Sequence, residues 1–260
     1  MIIVDFFKTI LYIPLYNALV FLIHIVPGGE VGLAVIFLTF IVKLIIFPLS
    51  SKSIHSQALM REIEPQIKVI RAQKFDKQKE AAEIMEVYKK NKVNPFSGCF
   101  LLLIQLPIII SLYWVFLKGL PVINTSLLYS FTPVPGKLNM IFLGVLNLGK
   151  SSIILAALAG LTQFLQMSIS LPKSEPKPKD GDQKTGFQEE LTKMMNMQMK
   201  YILPVFIAGI AYTLNGAVAL YWTTNNLFTV GQELWIRKER AMMKKKAAEE
   251  KEKSEEEKKK

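Results

Sequence analysis

Apolar residues in this chain gather into long blocks, and the charged residues lie mostly between them. Five blocks, about 31–49, 99–117, 151–171, 199–214 and 217–234, each predict a helix buried in oil. Most approach the roughly 20 residues that carry a helix across about 30 Å of hydrocarbon. The fourth is short and needs a thin place in the bilayer or a protein cover. A sixth stretch, 9–26, carries Pro14, Asn17 and His24 and stops at Pro27-Gly28-Gly29, so spanning and lying in the interface both fit it. Only Lys8 precedes it, and neither a small-residue cleavage site nor a lipobox cysteine follows, unlike a secretory signal.

The blocks between differ in kind. Residues 52–95 hold ten basic and six acidic residues, with apolar residues at helical spacing: Ile63, Ile67 and Ile70, then Ala81, Ile84, Met85 and Tyr88. This pattern predicts two amphipathic helices folded back as a hairpin, with a bend near Phe75-Asp76 and Pro65 starting or kinking the first arm. Residues 172–198 carry Pro172, Pro176, Pro178, Gly181 and Gly186 and predict a flexible loop. The Lys/Glu-rich tail, 241–260, has no apolar face and reads as a solvated helix or a disordered segment. No internal repeat is evident. The organisation expected is a hydrophobic segment over 1–30, a membrane core over 31–240 and the tail.

Composition sharpens this picture. Of 260 residues 51% are hydrophobic and 20% charged, a mixture that excludes both an ordinary soluble domain and a disordered chain. One cysteine, Cys99, and two histidines leave no disulfide framework or common zinc site, so neither metal nor cofactor is expected. Without a Walker A loop, an HExxH motif or a Ser/His/Asp set, covalent catalysis is not expected either.

The net charge of +11 is unevenly spread: ten basic residues in 52–95, five in 172–198 and eleven in 236–260, against two in 119–150 and none in the Asn215-Gly216 link. The positive-inside rule then places the three basic segments, and the C-terminus, in the cytoplasm of a multi-pass plasma-membrane protein.

The charged residues of the five blocks are Lys43, Lys200 and Glu233, and the last two sit at block ends where water is near. Lys43 lies about 9 Å from the cytoplasmic end of its helix. A cation deep in lipid costs several kcal/mol, so it faces either a wet cavity or a partner. No acidic residue lies at comparable depth in the other blocks, which favours the cavity; the bland alternative is a stem that snorkels to the headgroups. Thr39 is one turn away. Gln105, Thr162, Gln163, Gln166, Tyr221, Trp222, Asn225 and Asn226 put further polar groups on three other helices. Interhelical hydrogen bonds would satisfy one or two of them. The whole set is better explained by a shared hydrophilic groove.

The segment VNPFSGCFLLLIQLPIIISLYW from Val93 to Trp114 closely resembles the signature of the YidC family of membrane protein insertases, bacterial relatives of the mitochondrial and chloroplast insertases. TFIVKLIIFPLS from Thr39 resembles that family's first core helix, and NGAVALYWTTNNLFTVGQE from Asn215 its last. The resemblance implies an all-α polytopic membrane protein in a bacterial plasma membrane. Its five-helix core would carry a cytoplasmic helical hairpin and follow an N-terminal amphipathic or hydrophobic helix at the outer face. It implies a groove open to cytoplasm and lipid, lined by Lys43 (where the family usually has arginine), Thr39, Gln105, Trp222 and Asn226, with Gln166 or Gln163 from the third helix; Tyr221 joins them on the last. The expected work is insertion and folding of nascent membrane proteins, alone or with the Sec translocon. The hairpin and tail would face ribosomes and anionic lipids without a specific nucleic-acid target. A small channel or solute transporter is the rival reading.

Overall fold

The computed structural model describes residues 5, 7–73, 75–94, 97–120, 122–171 and 194–258, and most of them are helical. Helix α1 covers Lys8–Ile25, opening with a wide π-type turn over Lys8–Tyr12. Helix α2 runs Val31–Ala72 and α3 Lys77–Lys90. Helix α4, Ser97–Trp114, continues as a π-type turn over Val115–Gly119. A two-stranded antiparallel hairpin follows, β1 (Ile141–Phe142) and β2 (Leu146–Asn147). Then come α5 (Ile153–Ser170), α6 (Leu203–Thr213) and α7 (Gly216–Lys258). The loop expected over 172–198 lies, for residues 172–193, outside the described residues.

One expectation is revised. The first apolar block and the first arm of the amphipathic segment are one 42-residue helix that passes through both Pro48 and Pro65. A proline removes one hydrogen bond and crowds the preceding turn, yet the helix continues through both. The last block runs on without a break into the Lys/Glu-rich tail, as far as Lys258, in line with the helical of its two readings. Among the described residues, three helices are long and apolar enough to cross a membrane, Lys8–Ile25, Val31–Ala72 and Ile153–Ser170, and Leu103–Gly119 is a shorter apolar helix.

The chain divides into two compact units, Met1–Phe47 with Cys99–Phe228, and Pro48–Gly98 with Thr229–Lys260. The first is built around fully buried Tyr16, Leu19, Ile23, Leu38, Leu112, Phe116, Leu148 and Leu155. Asn17, a liability in an apolar helix, is buried and satisfied. Its amide donates to Ile13 O and Leu127 O, both at 2.9 Å, and its carbonyl accepts from Tyr129 N at 2.7 Å. Tyr16 Oη accepts from Asn124 N at 2.8 Å. Gly119 lets that ring close in, since a β-carbon there would lie 2.6 Å from it.

The corner between α1 and α2 needs Gly29: its φ is +64° and a β-carbon would meet Lys137 O at 2.2 Å. The corner is stitched by Asn139 N to Gly29 O (2.9 Å) and Val31 N to Asn139 O (3.0 Å). Asn215 caps α7 by accepting from Val218 N at 3.2 Å, and its amide satisfies Phe116 O at 3.0 Å, where the π-type turn begins. Helices α5 and α6 meet at Gly160, whose added β-carbon would lie 2.8 Å from Ala208 Cβ.

The second unit has its own small core of Ile63, Ile67 and Val93, packed with Leu59, Met60, Ile84, Val87 and Tyr88. Helix α3 ends in a Schellman turn: Lys92 has φ 53°, Val93 N donates to Tyr88 O at 2.9 Å and Lys92 N to Lys89 O at 3.0 Å. Glu233, expected near water, is instead buried. Its carboxylate accepts from Arg237 at 2.8 Å and Arg61 at 3.5 Å. Arg240 reaches Glu62 and His55 O, each at 2.8 Å, and Gln232 donates to Ser50 Oγ at 2.7 Å. Burial first, then Arg237 and Arg240, lower the Arg61 pKa from its usual value, and Glu233 opposes them. Read alone, Glu233 looked wet; Arg61, far away in sequence, is what lets it be dry.

Two measurements test these contacts. Gly160→Ala should lower the thermal unfolding midpoint in mild detergent, at a cost of about 1–3 kcal/mol for overpacking. Gly209→Ala, where nothing lies within 4 Å, should be neutral or slightly stabilising. Glu233→Ala should destabilise the second unit by about 1–2 kcal/mol, discounted for the partly exposed arginines. Limited proteolysis within 48–98 would read it, and Glu249→Ala, in an exposed pair with Lys245, should change little.

Candidate functional site

A polar side chain inside an apolar helix bundle costs a few kcal/mol unless it is hydrogen-bonded, so the partners of such groups reveal what the fold builds there. On α2, Lys43 is half-buried, and Thr39 is buried one turn before it. The Thr39 hydroxyl donates to Val35 O at 2.7 Å, which satisfies its proton within its own helix. On α4, half-buried Gln105 donates to Tyr221 Oη on α7 at 3.3 Å. Tyr221 is buried, its ring tilted against Phe116 at 6.1 Å. This contact joins two helices through a polar bond just below the middle of the apolar stretch of α4.

A second polar contact joins α7 to α5. Asn226 is 1% exposed, and its amide donates to Thr162 Oγ1 at 3.4 Å and Ala159 O at 3.5 Å. Asn225 donates to Asn226 Oδ1 at 3.5 Å. The Thr162 hydroxyl donates a hydrogen bond to Leu158 O at 2.8 Å. On the same helix Gln163 is buried and Gln166 half-buried. Tyr221 and Asn226 are five residues apart on α7, about 140° around the axis. One therefore faces α4 and the other α5.

Trp222 lies elsewhere. With Tyr221 it lines a cavity of about 300 Å³ whose other walls are Ile109, Ile110 and Tyr113 of α4, Ile210 of α6, and Leu214 and Val218. That cavity is apolar apart from the aromatic polar tips, and is suited to an acyl chain or a hydrophobic side chain rather than to a charged group. The residues expected to share one groove thus divide into a Gln105–Tyr221 contact, an Asn226–Thr162 contact, and an aromatic wall at Trp222.

Other polar residues were not singled out from sequence. Thr223 and Thr224 are buried and donate to Ala219 O and Leu220 O, both at 2.9 Å. Ser111 is fully buried on α4, and its hydroxyl has no hydrogen-bond partner. A lone serine among isoleucines and leucines reads as a small packing residue, so only the burial of its hydroxyl marks it.

The helices and their polar contacts can be set beside known proteins. The model of the 60Kd inner membrane protein family matches residues 22–246. The membrane protein insertase YidC of Francisella tularensis subsp. novicida (strain U112) is 34% identical over 209 residues, covering 80% of this chain and 32% of that protein. The same figures hold for the YidC of F. tularensis subsp. holarctica (strain LVS). The chain therefore spans about a third of the length of these curated relatives. Among solved structures, an active YidC insertase crystal structure with its first transmembrane domain resolved aligns with 77% of this chain and 40% of its own, at 24% identity and a TM-score of 0.48. With the family model matched from the last turn of α1 to the first residues of the tail, the chain belongs to the 60Kd inner membrane protein family, that of the YidC insertases.

Proposed function

We propose that this chain is a membrane protein insertase of the bacterial plasma membrane. It lowers the barrier for a nascent chain to carry a polar tail or loop across oil, and then releases the apolar segment sideways into lipid. The observation that carries this reading is the set of polar contacts inside apolar helices, Gln105 with Tyr221 and Asn226 with Thr162, on the helices that accompany Lys43. The five-helix core consists of the apolar part of α2 with α4, α5, α6 and the apolar part of α7. The α2–α3 hairpin and the end of α7 are cytoplasmic, as their basic residues favour.

The contacts of α1 support a place for it beside the core. Tyr16 and Asn17, midway along it, bond to the 124–129 segment, and its end at Gly29 bonds to Asn139. Contacts at its middle and just past its end to one connecting segment favour a seat for α1 at the outer interface rather than a path through the core.

The energetics need no covalent chemistry. Water reaching Lys43, Thr39, Gln105 and Gln166 from the cytoplasm shortens the dry part of the passage, and the Lys43 ammonium attracts acidic residues of the client tail. Release into lipid contributes roughly 25 cal/mol per Å² of apolar surface, and the membrane potential about 2.3 kcal/mol per charge per 100 mV. Nascent membrane proteins are the clients. Ribosomes, anionic lipid headgroups and the Sec translocon are the partners that the basic segments suit.

Two experiments test the reading. Lys43→Ala should slow insertion of a client with an acidic translocated tail by about tenfold, equivalent to roughly 1.4 kcal/mol, and leave a neutral-tailed client little affected. Lys43→Arg should be nearly neutral. Pulse-labelled insertion measures both, and equal full activity of Lys43→Ala on the two clients would exclude a role for the groove cation. Single cysteines at Gln105 and Gln166, with Cys99 replaced by serine, should react with a charged thiol reagent supplied from the cytoplasm and resist it from outside. Comparable labelling from outside would point to a channel.

A further inference from the structure

We propose that the tip of the β1–β2 hairpin, Leu143 and Val145, is a lipid anchor. It enters the acyl-chain edge of the leaflet at the N-terminal end of α2 and fixes the depth of the α1–α2 corner. The inference rests on the membrane reading of the apolar helices and goes beyond insertion itself.

The turn is unusual for water. Val145 N donates to Phe142 O at 3.2 Å, and the two central residues both have positive φ, 52° at Leu143 and 75° at Gly144. Three residues, 143–145, connect the strands, and a β-turn of that sign pattern within them favours Asn-Gly or Asp-Gly, because a larger side chain is strained in the left-handed region. Here the first position is leucine, its side chain 69% exposed, and Val145 beside it is 79% exposed. In water the strained backbone and the bare apolar pair would both be unfavourable. Against acyl chains an asparagine amide would be the misfit and leucine the favoured residue.

The tip is also rigidly mounted. Glu30 Oε1 accepts from Leu143 N at 3.0 Å, which holds the strained residue in place. Phe142 turns inward onto Gly32, where a β-carbon would lie 2.1 Å from its ring, and Leu148 is fully buried at the far end of β2. The root is bonded to the first turn of α2 through Val31 N and Asn139 O. Val31 is where the long apolar run of α2 begins. The outward face of that run, Phe37, Phe40, Ile41, Leu44 and Ile45, is exposed hydrocarbon. The hairpin therefore carries its apolar tip beside the N-terminal end of α2, about two turns before that exposed surface begins at Phe37. A lipid surface is the occupant these features fit.

The test uses the full chain with Cys99→Ser, reconstituted into phosphatidylcholine/phosphatidylglycerol vesicles. It carries a polarity-sensitive fluorophore at Val145→Cys or, as the control about 15 Å further along α2, at Ile41→Cys. Both should emit blue-shifted light. A spin label near the headgroup end of the acyl chain should quench position 145 more strongly, and one near the chain terminus should quench position 41 more strongly. Leu143→Asn should move the position-145 emission back toward its value in water. Water-like emission at 145 with lipid quenching at 41 would overturn the anchor alone. Blue-shifted emission at 145 that neither lipid quencher reaches would mean that protein covers the tip, and would overturn it too. Absence of lipid quenching at both positions would overturn the membrane reading and the anchor with it. Unchanged emission in Leu143→Asn would remove Leu143 from the role.

Discussion

Hydrocarbon offers no hydrogen-bond partner, and the first unit of this structure is organised around that constraint. Each apolar stretch takes up helix, which pairs its interior backbone groups without outside help. The difficulty is left at helix ends and at the few polar side chains within the stretches. The helix ends are resolved locally and redundantly. Asn139 serves both Gly29 and Val31 at the α1–α2 corner, and Asn215 both caps α7 and satisfies Phe116 O. Glycines stand where these closures bring backbones too close for a β-carbon, as at Gly29 against Lys137 O. Such positions tolerate little change although none carries a polar side chain.

The same constraint shapes the polar side chains. Threonines return their protons to their own helix, as Thr39, Thr162, Thr223 and Thr224 do. The amides cannot do so as easily and reach across to other helices instead. Gln105 reaches Tyr221 and Asn226 reaches Thr162, so two polar contacts flank α7 on different faces. Contacts as long as 3.3–3.5 Å are weakly held. Water can replace such bonds at small cost, whereas a core sealed by short bonds would resist it.

Within the second unit the problem is charge rather than the backbone. Three arginines share two glutamates, with Glu233 almost fully buried between Arg61 and Arg237. Buried ion pairs add little net stability, but removing one partner is expensive. The arrangement therefore selects one pairing of α2 with α7 in that unit more than it strengthens it.

Much was determined by the sequence alone. Block lengths and the segregation of charge from oil dictate a polytopic helical membrane protein, because a 3.6-residue helix and a fixed hydrocarbon thickness leave few alternatives. The proline-glutamine motif around Gln105 and the lysine at position 43 marked the helices on which polar groups would matter. Helix continuity was not legible. Pro48 looked like a boundary, yet α2 runs through it and through Pro65, and α7 runs on into the tail, whose Lys, Glu and Ala are good helix formers. Nor was the grouping of the polar residues. Composition places Tyr221, Trp222 and Asn226 on one helix, but only the arrangement of α4 and α5 decides that Tyr221 meets Gln105, Asn226 meets Thr162 and Trp222 turns to an apolar cavity. The burial of Glu233 and the inward seat of Asn17 depend on partners more than a hundred residues away. A single sequence carries the chemistry of each side chain, but whether that chemistry is satisfied, strained or left available depends on distances that arise only when the chain folds.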